Sequence, residues 1–488
     1  MSLSYLKSGT DIRGTAIGEN NQLTDAVVKS IIAGFIHVLS KKTGIDAQFL
    51  RISVGHDPRI SSPRIKKAVI EQLLSAGANV TDCDLCSTPA MFMTTVNAYC
   101  DGAVQITASH HPADKNGLKF FSRDGGFESE DISEILAYAD AFDASPYLER
   151  GEYEAVDYMS QYCHDLRTMI RDGIMAEDFR HPLKGLHILV DAGNGVGGFY
   201  ALHVLKPLGA DISGSQFLVP DGNFPNHTPN PENSEAMRSV SEAVINHHAD
   251  LGIIFDTDVD RAACVDASGR EINRNRLVAL AAAIALENNP GGTIVTDSVT
   301  SDGLKTFIND TLGGHHHRFK RGYKNVINEA IRLNRAGINC PLAIETSGHA
   351  ALKENYFLDD GAYLVTKIII KFAVMRQQGK DLSDIIKDLK EPAEAREIRY
   401  PIAAEDFRAY GNAVIAKLTA WAQGRDGLTV ADDNYEGVHI SFDKDHGNGW
   451  LLLRLSVHDP IMPLNIESDD VGGTEIILRQ FNEFYSTL

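Results

Sequence analysis

In 488 residues there are only six cysteines and two tryptophans, and no run of about 18 apolar residues anywhere. The shortage of cysteine excludes a secreted disulfide framework, and the missing apolar run excludes a membrane-spanning helix. The opening residues, Met1 to Lys7, also lack the apolar stretch of a signal peptide, so a soluble, cytoplasmic protein is expected. Positive charge is scarce as well: 46 Lys and Arg stand against 66 Asp and Glu, a formal net charge of -20. Such a surface repels the phosphates of nucleic acid and of anionic lipid alike, so neither is an expected partner. An anionic small molecule must then meet local positive charge. Arg13, Arg59, Lys320, Arg321, Lys324 and Arg454, all in glycine-rich or turn-like segments, are the candidates.

What is present is ordinary globular composition, 43% hydrophobic and 23% charged, over a length that implies three or four domains. One plan recurs: a β-branched apolar run, a polar turn bearing Gly or Ser, then an amphipathic helix. It begins at Leu50, with Ile65, Val69, Leu73 and Ile70, Leu74 as the helix stripes, again at His187 with the turn Ala192 to Gly198, and again at Thr293 before a short helix. Beyond Glu391-Pro392 the pattern changes to alternating strands such as Gly449 to Leu455, closed by a helix from Gly473 to Tyr485. The expected fold is α/β, with three similar α/β domains with mixed sheets (1–160, 161–275, 276–392) and a smaller C-terminal α+β domain (393–488) around a central cleft. A polar helix from Tyr153 to about Met175 and the segment Gly269 to Asn275 are the expected connectors. The CxxC of Cys83 and Cys86 has no second Cys or His pair at zinc spacing and is expected to be structural. The tracts His247-His248 and His315 to His317 are expected in surface loops.

Two segments carry chemistry. Thr107-Ala108-Ser109-His110-His111-Pro112 sets a hydroxyl beside imidazoles after a strand-like run, and a serine so placed can carry a phosphoryl group. Asp256-Thr257-Asp258-Val259-Asp260-Arg261 follows the apolar run Leu251 to Phe255, which aims it at the carboxyl edge of a sheet. Three carboxylates within about 4 Å repel by roughly 4 kcal/mol per pair at an effective dielectric near 20, and a divalent cation removes that penalty. Oxygen-only ligands point to Mg²⁺, with Arg261 placed to steady a transferring phosphoryl group. A rival reading takes Asp256 as the nucleophile of a haloacid-dehalogenase-type phosphatase, but it leaves Asp260 and Ser109 without roles.

Together these motifs resemble the α-D-phosphohexomutase family, the phosphoglucomutases and phosphomannomutases, over essentially the whole chain. Gly9 to Gly14 and Gly55 to Ser62 are similar to its first two elements, Lys115 to Lys119 continues the match, and Pro220 to Glu232 is similar to a Pro- and Gly-rich loop expected to be scaffolding. The resemblance implies transfer between the 1 and 6 positions of a glucose or mannose phosphate through a phosphorylated Ser109 and a hexose 1,6-bisphosphate, which also serves as activator. It implies that Ser109, Asp256, Asp258 and Asp260 hold Mg²⁺, and that Arg13, His110, Arg261, Lys320 and His349 take part in transfer, with Lys324 the fallback for Lys320. Glu345 and Ser347 would bind the sugar, and Arg454, Ser456 and His458 its other phosphate. That last loop, Arg454-Leu455-Ser456-Val457-His458-Asp459-Pro460, departs from the family's pattern, with Val457 and His458 in place of a turn-forming residue and a hydroxyl donor. A phosphoglucosamine mutase, a metal-dependent sugar phosphate phosphatase and an inactive sugar-phosphate-binding paralogue are the alternatives. The expected partner is a sugar phosphate, the expected assembly a monomer or homodimer.

Overall fold

Every residue of Gly102–Ile106 is buried, as a strand covered on both faces requires, and it sits inside a sheet of eight strands among the described residues. A computed structural model of the chain describes residues 2–142, 151–456 and 459–488. They fall into two compact units: Met1–Leu277 with Ser347–Asp384, and Val278–Thr346 with Ile385–Leu488.

In the first unit, Arg51–His56 runs parallel to Asn79–Leu85 on one side and to Gly102–Ile106 on the other. Lys115–Ser122 then returns antiparallel and carries Asp11–Thr15 at its far edge. Helices Asp25–Thr43 and Ser129–Ala141 bury Phe35 against Phe120 and Phe127, with ring centroids 4.7 and 5.4 Å apart. Truncating such a residue costs about 3–5 kcal/mol. A second mixed sheet has Leu251–Phe255 between parallel Ile188–Asp191 and antiparallel Ala262–Asp266. Both sheets end in loops at the carboxyl ends of their parallel strands, and the two chemical segments lie there.

In the second unit, Thr293–Thr296 is flanked in parallel by His315–Arg318 and Leu342–Ile344. The C-terminal portion is an antiparallel sheet in the order Glu394–Pro401, Ile461–Ser468, Gly449–Leu453, Val438–Phe442, Leu428–Val430. Its alternation buries Ile440, Leu451, Leu453, Leu464 and Ile466 under helices Phe407–Ala422 and Gly473–Tyr485. The architecture is thus three α/β portions followed by a smaller α+β portion.

Several local expectations are corrected. His315–Arg318 is a strand, not a loop: its backbone pairs with Thr293–Thr296, and the His316 and His317 rings are anchored by Thr296 Oγ1 at 2.7 Å and Glu329 Oε1 at 2.9 Å. His247 ends the helix Ser234–His247 and His248 caps it with a left-handed φ of 53°. The supposed connector at 269–275 contains the strand Glu271–Ile272, paired with Ala262–Asp266. The other begins as a strand, Tyr153–Ala155, and its helix Tyr158–Ile174 buries Tyr162, Leu166 and Ile170 instead of being polar all round. The helix after the turn 192–198 is a π-helical segment, Tyr200–Leu205. Cys83 and Cys86 are buried free thiols, and burial pushes the Cys83 thiol up to about 12, as a structural role requires. Among the described residues no helix is long and apolar enough to cross a membrane.

Candidate active site

Strand Gly102–Ile106 delivers a loop in which Ser109 takes a left-handed φ of 49°. The Ser109 N–H donates to Thr107 Oγ1 at 2.9 Å, and Thr107 donates to Asp57 Oδ2 at 2.8 Å, which fixes the turn. Ser109 Oγ then meets the acidic loop: it donates to Asp256 Oδ2 at 2.9 Å and accepts from Arg261 Nη2 at 3.3 Å. His110 Nδ1 lies 3.3 Å from the same oxygen.

Asp256 directly follows strand Leu251–Phe255, and one carboxylate oxygen from each of Asp256, Asp258 and Asp260 lies within 4.8 Å of the others. Bending the loop this tightly puts the β-branched Val259 at a φ of 69°, a conformation that costs energy and must be held. Gly361 holds it, its N–H donating to Val259 O at 3.1 Å. A Cβ at position 361 would come within 2.7 Å of the Arg261 carbonyl carbon, so helix Gly361–Gln377 reaches the loop only because glycine begins it. A second helix N-terminus, Thr88–Asn97, donates from the Thr88 N–H to Asp258 O at 2.9 Å and from the Thr88 hydroxyl to the Asp258 carboxylate. Lys119 Nζ is bonded to Asp260 and stands 3.6 Å from Asp258. Even so, the Oδ1 atoms of Asp258 and Asp260 are buried with no hydrogen-bond partner. Orphaned carboxylate oxygens in an oxygen-only cluster fit a hard divalent cation such as Mg²⁺.

The electrostatics separate the groups. Burial, then Asp260 and Asp258, push the Asp256 carboxyl well above its usual range. Burial acts the same way on Asp260, but Lys119, His349 and Arg261 overcome it and hold that group ionised. His110 is pushed down to about 2 by burial and by Arg261, His111 and Arg13, so its ring is neutral. His349 goes the other way. Burial opposes its charge, yet the Asp359 and Asp260 carboxylates raise it to about 9, and its Nδ1 is bonded to Asp359. The two imidazoles of this unit are thus set in opposite protonation states. Arg13 is tied to Asp11 at 2.7 Å, and its charge also acts on His111.

In the second unit, Glu345 Oε1 accepts from the Gly322 N–H at 2.6 Å. Glu436 Oε2 accepts from the Arg321 N–H at 3.1 Å and from Ser298 Oγ at 2.5 Å. Arg454 is buried with its Nε lacking a hydrogen-bond partner. Its charge is disfavoured by burial and by Arg321, and supported by Glu436, Glu397 and Asp297. A buried guanidinium nitrogen without a partner is a donor that an anion could satisfy. Ser456 Oγ accepts from the Asp459 N–H at 3.2 Å, while Lys320 is exposed, its Nζ 5.9 Å from the Phe319 ring centre. Ser347 belongs to the first unit with His349, and His458 and Val457 lie outside the described residues.

Three domain families match in order: phosphoglucomutase/phosphomannomutase alpha/beta/alpha domain I over residues 6–144, domain II over 162–269 and domain III over 273–392. A phosphoglucomutase/phosphomannomutase of Thermococcus kodakarensis is 31% identical over 460 residues, 94% of this chain and 93% of that one. The chain belongs to the phosphoglucomutase/phosphomannomutase family. A phosphomannomutase/phosphoglucomutase of Pseudomonas aeruginosa is 30% identical over 431 residues, covering 88% of this chain and 86% of its own length. Among solved structures, a phosphoglucomutase/phosphomannomutase family protein of Burkholderia thailandensis superposes with a TM-score of 0.81 at 27% identity, over 100% of this chain and 98% of that one.

Sequence reasoning left several groups of this cluster without a role. Lys119 ends the motif Lys115 to Lys119, and the available signal was a lysine inside an otherwise buried strand, which needs a partner charge. Thr88 and Asp359 carried no local signal. Arg59, proposed as positive charge for an anionic substrate, is wholly buried and bonded instead to Asp57 and to backbone carbonyls. Its charge is not available to a ligand.

Proposed function

We propose that this member of the mutase family interconverts the 1- and 6-phosphates of glucose or mannose, with Ser109 as the phosphoryl carrier. The observation that carries the reading is the meeting of Ser109 Oγ with Asp256, Arg261 and His110 at 2.9 to 3.3 Å, beside carboxylates suited to a cation. In the forward half-reaction the phosphorus–Oγ bond of phosphorylated Ser109 breaks and a bond forms to the free hydroxyl of the sugar phosphate. The sugar hydroxyl gives its proton to a neighbouring base, the departing Ser109 Oγ takes up a proton in turn to become the free hydroxyl, and Arg261 faces the charge on the transferring group. The bisphosphorylated sugar then returns its other phosphate: the Ser109 hydroxyl attacks, His110 Nδ1 takes its proton, and His349 is placed as the acid for the departing sugar oxygen. Mg²⁺ held by Asp256, Asp258, Asp260 and Ser109 would neutralise phosphate charge and polarise the oxygen between serine and phosphorus. Arg13 and Lys320 complete the positive charge, Glu345 and Ser347 bind sugar hydroxyls, and Arg454, Ser456 and His458 bind the second phosphate. Hexose 1,6-bisphosphate acts as activator by phosphorylating Ser109.

The test is a coupled mutase assay primed with hexose 1,6-bisphosphate, run with glucose, mannose and N-acetylglucosamine phosphates on the wild type and on Ser109→Ala. Isomerisation of glucose or mannose phosphate, lost in the folded variant, is expected. Substantial turnover by Ser109→Ala, or release of free phosphate in place of the isomeric ester, would overturn the assignment. A phosphatase would need Asp256 as a free nucleophile, whereas its carboxyl is buried and engaged by both Ser109 and Arg261.

A further inference from the structure

Ser109 is gripped from two sides by arginines of different character. On the backbone side, the five guanidinium hydrogens of Arg59 are all engaged. Nε donates to Asp57 Oδ2 at 3.1 Å, Nη2 to the carbonyls of Ser109 and His111 at 2.6 Å each, and Nη1 to those of Pro112 and Lys115 at 2.6 and 3.0 Å. Four carbonyls of one loop therefore converge on one buried cation, which is what holds Ser109 at its positive φ. On the hydroxyl side stands Arg261, its Nη2 at 3.3 Å from Ser109 Oγ.

The loop at 221–232 touches both arginines. At its first end the Phe224 ring lies over the Arg59 guanidinium, 5.2 Å from centroid to Cζ. Gly222 packs so closely that a Cβ there would fall 2.4 Å from Pro58 O and 2.6 Å from Ile60 N. Phe224 holds a left-handed φ of 49° to do this, a strained state for a bulky residue. At the other end Asn230 Oδ1 and Glu232 Oε2 accept from Arg261 Nη1 at 3.2 and 3.5 Å, which leaves Nη2 for Ser109 Oγ and Asp256 Oδ2, each at 3.3 Å. The middle is pinned to the second sheet: His227 Nε2 is 3.0 Å from each oxygen of Asp191, and Asn226 donates to Asn194 at 2.7 Å.

We infer that this loop is a two-ended clamp that positions Ser109 for transfer, with Phe224 acting through Arg59 and Asn230 acting through Arg261. Neither residue touches the reacting oxygen; they are positioning residues. The inference rests on the reading of Ser109 as the phosphoryl carrier. A displacement of about 1 Å at a reacting atom costs on the order of a hundredfold in rate, so a loosened clamp lowers kcat while sugar phosphate binding is kept.

The experiment compares the full-length wild type with Phe224→Leu, Phe224→Tyr, Asn230→Ala and the Phe224→Leu/Asn230→Ala double variant. It measures kcat and KM per folded molecule and amide hydrogen exchange in the 108–115 peptide. Phe224→Leu and Asn230→Ala are each expected to lower kcat by about 10- to 100-fold with KM within about twofold, and Phe224→Leu to speed exchange at 108–115 about tenfold or more. Phe224→Tyr, which keeps a ring face over Arg59, is expected to restore both to within about threefold. The double variant is expected to lose little more than the worse single variant, because one clamp is already open. A double loss equal to the product of the single losses would show two independent contacts, and unchanged exchange in Phe224→Leu would show no grip on the serine loop; either overturns the inference. If Phe224→Leu does not fold, Asn230→Ala decides by its split between kcat and KM. A wild type inactive on every sugar phosphate would sink the mutase reading alone, since the exchange measurement needs no turnover.

Discussion

Asp258→Asn tests whether the acidic loop is built around a cation. The carboxylate oxygens of Asp256, Asp258 and Asp260 lie within 4.8 Å of one another, so each pair repels by about 3.5 kcal/mol or more at an effective dielectric near 20. Two of the three pairs involve Asp258, a gross repulsion of about 7 kcal/mol on the same scale. Against this, Lys119 Nζ at 3.6 Å attracts Asp258 by about 5 kcal/mol, and the Thr88 hydroxyl bond adds about 1 kcal/mol. Because burial favours the neutral form of Asp256, the repulsion is partly relieved and the balance is near zero: in excess chelator the variant should match the wild type to within about 1 kcal/mol. Addition of Mg²⁺ should favour the wild type. At a hundred times its dissociation constant a ligand stabilises by about 2.7 kcal/mol, a gain of roughly 4 °C in Tm for a unit of this size. The wild type should show that gain and Asp258→Asn almost none, with mutase activity lost. Calorimetry in chelator and in MgCl2 reads both arms. Equal Mg²⁺-induced shifts in the two proteins would refute the reasoning, as would a chelated variant several kcal/mol less stable than the wild type.

Three further perturbations follow. Lys119→Met should lower stability by a few kcal/mol, because Asp260 stays buried without its partner, and in the folded protein lower kcat by about 10²- to 10³-fold with little change in KM; steady-state kinetics within about threefold of wild type would contradict this. Arg454→Ala should raise KM for sugar phosphate about tenfold or more, the scale of one charge-assisted hydrogen bond, and an unchanged KM would remove Arg454 from substrate binding. Glu467, paired with Trp450 in the C-terminal sheet, has its carboxyl pushed up to about 8, chiefly by burial. Its folded-state affinity for the proton exceeds the unfolded one, so this contribution to stability is complete at low pH and is lost as pH rises from about 4.5 through 8. Glu467→Gln should flatten that slope in denaturant titrations between pH 5 and 8.5; an identical slope in both proteins would show that Glu467 does not titrate there.

Much of this molecule is legible locally. The apolar C-terminal strand Gly449–Leu453, the fully apolar run before Asp256 and the serine loop after Gly102–Ile106 all follow from patterns within about ten residues. The carboxylates at 256, 258 and 260 needed no partner from elsewhere to be read as a cation loop. The histidines at 315–317 misled because adjacent polar residues look like a loop, whereas strand pairing with 293–296 decides their state.

The sequence by itself determined the α/β plan and the chemistry each loop could offer, because composition and spacing act within one element. Only the tertiary structure decided which groups neutralise one another. Thr88 and Asp258 are separated by 170 residues, Ser109 and Asp256 by 147, and Lys119 and Asp260 by 141. A charge has no fixed meaning until burial and neighbours are known: Arg59 becomes a pillar of the serine loop because folding removes it from water, and Arg454 keeps an unbonded nitrogen for the same reason.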